Sequence, residues 1–187
     1  MRNYLILIFL PIVLFFIFVL SVGSAFAQNE IATKSSEAVV TKSDYNLPYP
    51  GILPDNPLYF LKAFRDKVVS FLINDSVKKA EFNLLTSDKR IAAAQSLLDK
   101  DKKELSITTI SKSTNYFFNA VASVQEAKKT GKETGGILTS LSASVKKHIE
   151  VLENMQKIKD NNFKEDLQRE EARLEELAKL VDEIKTE

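Results

Sequence analysis

The sequence predicts an all-α protein, a bundle of about five helices, and two observations support this fold class. Residues 58–130 contain neither proline nor glycine, the two residues that most often interrupt a helix. Residues 137–187 also lack both, and three glycines lie in the short break between these stretches. Apolar residues recur three and four positions apart in both stretches, a spacing that is typical of amphipathic helices.

The N-terminus has the three parts of a secretory signal peptide. Arg2 precedes an apolar run over residues 4–20, and the sequence AFA at 25–27 supplies the small residues that a signal peptidase accepts. We expect cleavage after Ala27, which would remove residues 1–27. The alternative is an uncleaved membrane tether through residues 4–27, although about 25 Å of apolar helix falls short of a ~30 Å hydrocarbon core. Both forms predict an extracytoplasmic protein, secreted or on the periplasmic side, and possible membrane anchoring stays open.

Two segments of contrasting composition follow this leader. Residues 28–47 are rich in Ser, Thr, Lys and Glu, so they can bury little apolar surface and are predicted to be a flexible linker. Residues 48–57, called the strap below, hold four prolines. Because proline fixes φ and favours an extended conformation for the residue before it, the strap is predicted to be stiff.

The first three predicted helices lie within residues 48–130. Asn56 is expected to cap the first helix, with Pro57 at its first position. Asn74-Asp75-Ser76 ends that helix and caps the second, and the charged run at 99–104 predicts a turn before the third. The first half of the third helix is rich in β-branched residues, so an extended conformation is the alternative there.

A second part of the chain, residues 137–187, is predicted to be an antiparallel helical hairpin. The turn is expected at Asp160-Asn161-Asn162, because a short polar connection joins two amphipathic helices there. Residues 58–130 carry 13 basic and 8 acidic residues, whereas residues 131–187 carry 10 basic and 13 acidic residues. These opposite net charges are compatible with packing of the two helical parts against each other, and equally with charged helix faces that stay in solvent.

The composition excludes several kinds of chemistry. The chain has no cysteine and one histidine, which excludes disulfides, thiolate nucleophiles and metal sites built from cysteines or several imidazoles. Without residues 1–27, which hold one base and no acid, 25 basic residues balance 25 acidic residues. A net charge of zero gives no global field, which argues against nucleic acid or anionic lipid as the ligand.

No residue is assigned to catalysis, and no cofactor or metal is expected. His148 shares a helix stripe with Val145 and Leu152, which indicates an interface histidine. The carboxylates at 170–171 and 175–176 are expected on the exposed side of an amphipathic helix. The glycine cluster at 131–136 lacks the order of a phosphate-binding loop. We therefore predict that the protein is not an enzyme.

The candidate interaction site is the strap together with the start of the first helix. Apolar and aromatic residues alternate with the prolines there. Aromatic residues of the helices are expected in the core, but those exposed beside the strap would form a binding patch. The predicted interaction residues are Tyr49, Ile52, Leu53, Pro54, Tyr59 and Phe60.

Two motifs carry a resemblance to a known family. The sequence YPGILPDNPLYFLK at 49–62, followed by NDSVKKAE at 74–81, resembles the domain of unknown function 5667 family. Asn56 stands where that family usually has Ser, and Ser76 stands where it often has Pro. The likeness is specific over residues 48–98. It implies a small helical domain of exported or membrane-anchored bacterial proteins, and it brings no known activity or catalytic residues.

Three functions are compatible with the sequence. The first is an exported, non-enzymatic helical protein that binds or scaffolds an envelope protein, with its strap docked on the first two helices. The alternative is a periplasmic-type chaperone or envelope stress sensor with an exposed apolar helical face. The third is an envelope hydrolase that uses glutamates alone. The sequence leaves the partner and the oligomeric state open.

Overall fold

A computed structural model describes residues 45–158 and 160–186, and these belong to one compact unit. Within the described residues the protein is all-α, which confirms the predicted fold class. The predicted signal peptide and almost all of the predicted linker lie outside the described residues. The helices are α1 (Tyr59–Leu72), α2 (Ser76–Leu98), α3 (Lys103–Lys129), α4 (Gly135–Met155) and α5 (Asn161–Thr186).

Polar residues mark the helix starts much as predicted. Asp75 caps α2 by accepting a 2.9 Å hydrogen bond from the Lys78 amide. Lys132, which donates to the same carboxylate, and this amide lower the pKa of Asp75 to about 2. Asp160 caps α5 in the same way. The predicted start of α1 at Pro57 is two residues too early, because Asn56 caps a turn that precedes the helix.

Small side chains let α2 and α3 pack closely in antiparallel directions. The Ser87 and Ser113 hydroxyls each donate to the other residue's carbonyl, at 2.8 and 2.7 Å. Ser106 donates to the Ala94 carbonyl at 2.8 Å, which fits the same register. The β-branched first half of α3 is helical and not extended. Thr109 there bonds back to its own helix, at the Leu105 carbonyl, so its hydroxyl does not compete with the helix.

Helices α2 to α5 form one up-down-up-down bundle with a common core. α3 and α5 run in the same direction, since Lys103 pairs with Asp160 at one end and Lys128 donates to the Ile184 carbonyl at the other. The hairpin of α4 and α5 therefore joins the first helices in a single core, a question that the sequence left open. The largest fully buried apolar side chains are Phe117, Ile91, Leu97, Ile110, Leu141, Leu152, Leu167 and Leu174.

Candidate functional site

Helix α1 contributes no buried residue to the bundle, and its most apolar side points outward. Phe60, Phe64 and Phe71 expose 64%, 67% and 85% of their surface, and Leu61 and Leu72 are also exposed. At about 100° per residue, these five side chains share one sector of the helix. We call this sector the outer face of α1. Such an apolar stripe is usually buried against the core of a protein. Because this one is exposed, the outer face is an apolar patch of the kind that marks binding sites.

The opposite side of α1 is the polar one, and it faces α2. Tyr59, Lys62 and Asp66 line a groove of about 260 Å³ between the two helices. Arg65 and Lys67 lie at the two borders between this side and the outer face, by the same angular spacing. Helix α1 is therefore amphipathic, but its charged side faces the bundle and its apolar side faces solvent.

The groove between α1 and α2 is lined by both basic and apolar side chains. The apolar ones include Val69, Phe82 and Leu85. Its charged lining consists of four basic residues and one acidic residue: Lys62, Arg65, Lys89, Arg90 and Asp66. Asp66 is paired with Arg65 at 2.7 Å, so the remaining cations dominate the groove.

Arg90 is the cation held most firmly in this groove. Its guanidinium donates to the Tyr59 hydroxyl at 2.7 Å and stacks 4.7 Å from the ring centre of Tyr116. Its Nε is buried and has no hydrogen-bond partner within the described residues. Among those residues, the ion pairs include none made by Arg90, Lys62 or Lys89. The groove therefore keeps uncompensated positive charge.

The strap is docked on the helices by two sets of contacts. The Lys62 ammonium donates to the carbonyls of Pro50 and Ile52, at 2.6 and 3.3 Å. Asp55 accepts from Lys102 and Lys100 at the turn between α2 and α3, which lowers the pKa of its carboxyl group. The left-handed φ of 69° at Gly51 lets the strap turn between these anchors.

The six predicted interaction residues do not form one patch. Tyr49, Ile52 and Phe60 are exposed, whereas Leu53, Pro54 and Tyr59 are partly buried. Tyr59 faces the groove and Phe60 lies on the outer face, on different sides of α1. The expectation that helix aromatics lie in the core fails for Phe60 and Phe118, both exposed, and holds for Phe117.

A buried polar cluster joins α2, α4 and the chain before the strap. The Asp88 carboxylate, 2% exposed, accepts from Ser144 at 2.6 Å, from fully buried His148 Nε2 at 2.8 Å and from Tyr45 at 2.6 Å. Burial, and then the neighbouring carboxylate, raise the pKa of the Tyr45 hydroxyl, which keeps it protonated as a donor. His148 is an interface histidine, as the sequence indicates, and Phe117 packs against it edge-on at 5.8 Å.

The geometry of this cluster suits stability and not catalysis. A Ser-His-Asp triad uses one ring nitrogen for the carboxylate and the other for the hydroxyl. Here Nε2 of His148 faces both Asp88 and Ser144, and Nδ1 is buried without a partner within the described residues. The arrangement cannot activate the serine, because no ring nitrogen of His148 is left to take its proton while the other holds Asp88.

The described residues hold neither a metal-binding cluster nor a membrane-spanning helix. Within residues 45–158 and 160–186, no group of three or more His, Asp or Glu side chains is placed to hold a metal ion. No helix in these residues is both long enough and apolar enough to span a bilayer.

Comparison with known proteins identifies one family. The family model described as "Domain of unknown function (DUF5667)" matches residues 51–162, which run from the strap through α4. This match confirms the resemblance in the strap and extends it beyond residue 98. No curated protein and no solved structure matches the chain.

Proposed function

The chain belongs to the DUF5667 family, whose description gives no activity, and we propose that it is an exported, non-enzymatic binding protein of the cell envelope. The observation that carries this proposal is the outer face of α1. Its three phenylalanines and two leucines are exposed next to one another, and the hydrophobic core of the bundle includes none of them.

The energetics favour a partner for this face. Fully burying one such side chain contributes about 1.5–3 kcal/mol, so five neighbours supply a large driving force for association. The docked strap and the capped turn at Asn56 hold the first turn of α1, which reduces the ordering cost of binding.

Export is supported by residues outside the described part of the chain. Arg2, the apolar run at 4–20 and the AFA sequence at 25–27 form the predicted signal peptide, whose uncleaved form would be an anchor. In either form, the protein works on the extracytoplasmic side of the membrane.

A photo-crosslinking side chain at Leu61 tests the proposal in cells that make the full chain. We expect Leu61 adducts with one envelope component, and loss of these adducts when Phe64 and Phe71 are also changed to Ser. The same probe at Phe118, equally exposed but on α3, is the matched control and should give no such adduct. Equal adducts from both positions would contradict a binding role for α1.

A chaperone or stress-sensor role is the second candidate, and the same exposed face favours it. A chaperone should suppress aggregation of an unfolded client at equimolar ratio, and Phe64→Ser with Phe71→Ser should abolish this activity. No suppression by the unaltered chain would count against this candidate and leave the binding role in place.

A further inference from the structure

We propose that the outer face of α1 binds a lipid bilayer that carries anionic headgroups, with the helix lying in the plane of the interface. This inference rests on the proposed function and names its partner. Three features carry it: the arrangement of charges around α1, the basic groove beside it, and the self-repulsion that opposes pairing of two copies.

The residues around α1 follow the order of an interfacial helix. Phe60, Phe64 and Phe71 lie within about 40° of one another on the outer face, where they would enter the acyl boundary. Arg65 and Lys67 stand at its two borders, where long basic side chains keep their charged ends at the headgroups while their stems lie along apolar surface. The Arg65 side chain is 59% exposed although it pairs with Asp66, and Lys67 at the other border is exposed.

The groove lies on the opposite side of α1, toward α2, and reaches the outer face at the Arg65 border, where it adds positive charge. Lys62, Lys89 and Arg90 have no carboxylate in an ion pair within the described residues, and the unpartnered Nε of Arg90 lies among them. Burial lowers the pKa of Lys62, and Arg90, Lys89 and Arg65 lower it further against the opposing effect of Asp66. A phosphate-bearing headgroup beside this groove would relieve that repulsion.

Net charge alone argues against an anionic ligand, but the charges are unevenly placed. Residues 58–130, which include α1 and the groove, have an excess of five basic residues, whereas residues 28–57 and 131–187 have acidic excesses of two and three. Attraction to a surface depends on the nearby charges, because interactions beyond about 8–10 Å are screened at physiological salt. The basic side of the molecule can therefore bind anionic lipid although the mature chain is neutral.

A second copy of the chain fits this face less well. A symmetric dimer would place the same patch against itself, so Arg65 and Lys67 of one copy would approach their equivalents in the other. Like charges oppose such an interface, whereas anionic headgroups neutralise them. The predicted signal peptide, or the alternative tether through residues 4–27, also directs the chain to a membrane.

Vesicle co-sedimentation tests the inference. The protein would begin at Gln28, the expected mature N-terminus, because this form keeps the whole compact unit and lacks the apolar run that would itself bind lipid. One set of vesicles contains phosphatidylcholine alone, and the other contains equal parts of phosphatidylcholine and phosphatidylglycerol. We expect clear binding to the anionic set, which falls as salt is added.

Two double variants separate the apolar and ionic contributions. Phe64→Ser with Phe71→Ser should weaken binding about 100-fold or more, because two large apolar side chains no longer enter the interface. Arg65→Gln with Lys67→Gln should weaken binding to anionic vesicles about 30-fold, since each basic residue near such a surface contributes about fivefold. The charge variant should leave the weaker binding to phosphatidylcholine unchanged.

Matched controls carry the same substitutions elsewhere. Phe118→Ser removes an exposed phenylalanine from α3, and Lys164→Gln with Lys179→Gln removes two exposed charges from α5. All of these controls should bind like the unaltered chain. Circular dichroism and thermal melting of every variant establish that the bundle is folded.

Three results would overturn the inference. They are no binding to anionic vesicles, equal binding to both vesicle sets, or a dimer that depends on Phe64 and Phe71 and binds no vesicle. If the protein does not bind anionic vesicles but the Leu61 probe still gives specific adducts with an envelope protein, the lipid inference is wrong and the proposed binding role stands. If both fail, the proposed function fails as well.

Discussion

Replacing Asp88 with alanine should lower the free energy of unfolding by about 3–5 kcal/mol, because it removes a buried carboxylate and leaves the hydrogen-bond donors around it without an acceptor. His148 Nε2 and the Ser144 hydroxyl would each lose the carboxylate that they donate to, at positions without access to water. Tyr45 would lose its hydrogen bond to Asp88, so the chain before the strap should also be held less firmly. Urea unfolding monitored by circular dichroism measures the first effect, and amide hydrogen exchange near the strap measures the second.

Two further variants make this result specific. Asp88→Asn keeps an acceptor oxygen in the same shape and should lose less stability than Asp88→Ala. Asp182→Ala removes an exposed carboxylate from α5 and should change the free energy of unfolding by no more than about 0.5 kcal/mol. If Asp88→Ala and Asp182→Ala unfold at the same urea concentration, the cluster does not hold the bundle together.

Phe117 and Phe118 form a second matched pair, adjacent in sequence and opposite in environment. Phe117 is fully buried in the core beside His148, so Phe117→Ala should cost about 3–5 kcal/mol through lost burial and a cavity. Phe118 is 54% exposed, and Phe118→Ala should stay within about 0.5 kcal/mol of the unaltered chain. Thermal and urea unfolding report both values, and similar losses for the two variants would refute the assigned orientation of α3.

The fold was predictable because the helix signals are local. Long stretches without proline or glycine hold the helices, Asp75 caps within the expected Asn74-Asp75-Ser76, and apolar spacing places Phe117 and His148 in the core. The turn expected at residues 160–162, by contrast, ends at Asp160, which caps α5. The conformation at the start of α3 was ambiguous, because β-branched propensity is a weak signal. The helical conformation there is stabilised by the hydrogen bonds between Ser113 and Ser87 of α2, and these bonds form only in the packed bundle.

The candidate site was only partly predictable, because it depends on which side of α1 meets the bundle. The spacing of Phe60, Phe64 and Phe71 predicts a helix with an apolar stripe, but periodicity is the same whether that stripe points inward or outward. The partnership of Asp88 with His148 was missed, although one signal was present. Asp88 lies on the stripe of its helix's core residues, and a buried charge needs a polar partner such as the single histidine.

The most direct test of the account measures whether the outer face of α1 is open in the free protein and covered in the envelope. Because the chain has no cysteine, Leu61→Cys and Phe118→Cys each place one reactive thiol on an exposed site. We expect maleimide to label both thiols at similar rates in the purified protein, and only the Leu61→Cys thiol to become protected in isolated envelopes. Protection of this thiol in the purified monomer, or equal labelling of both thiols in the envelope, would contradict it.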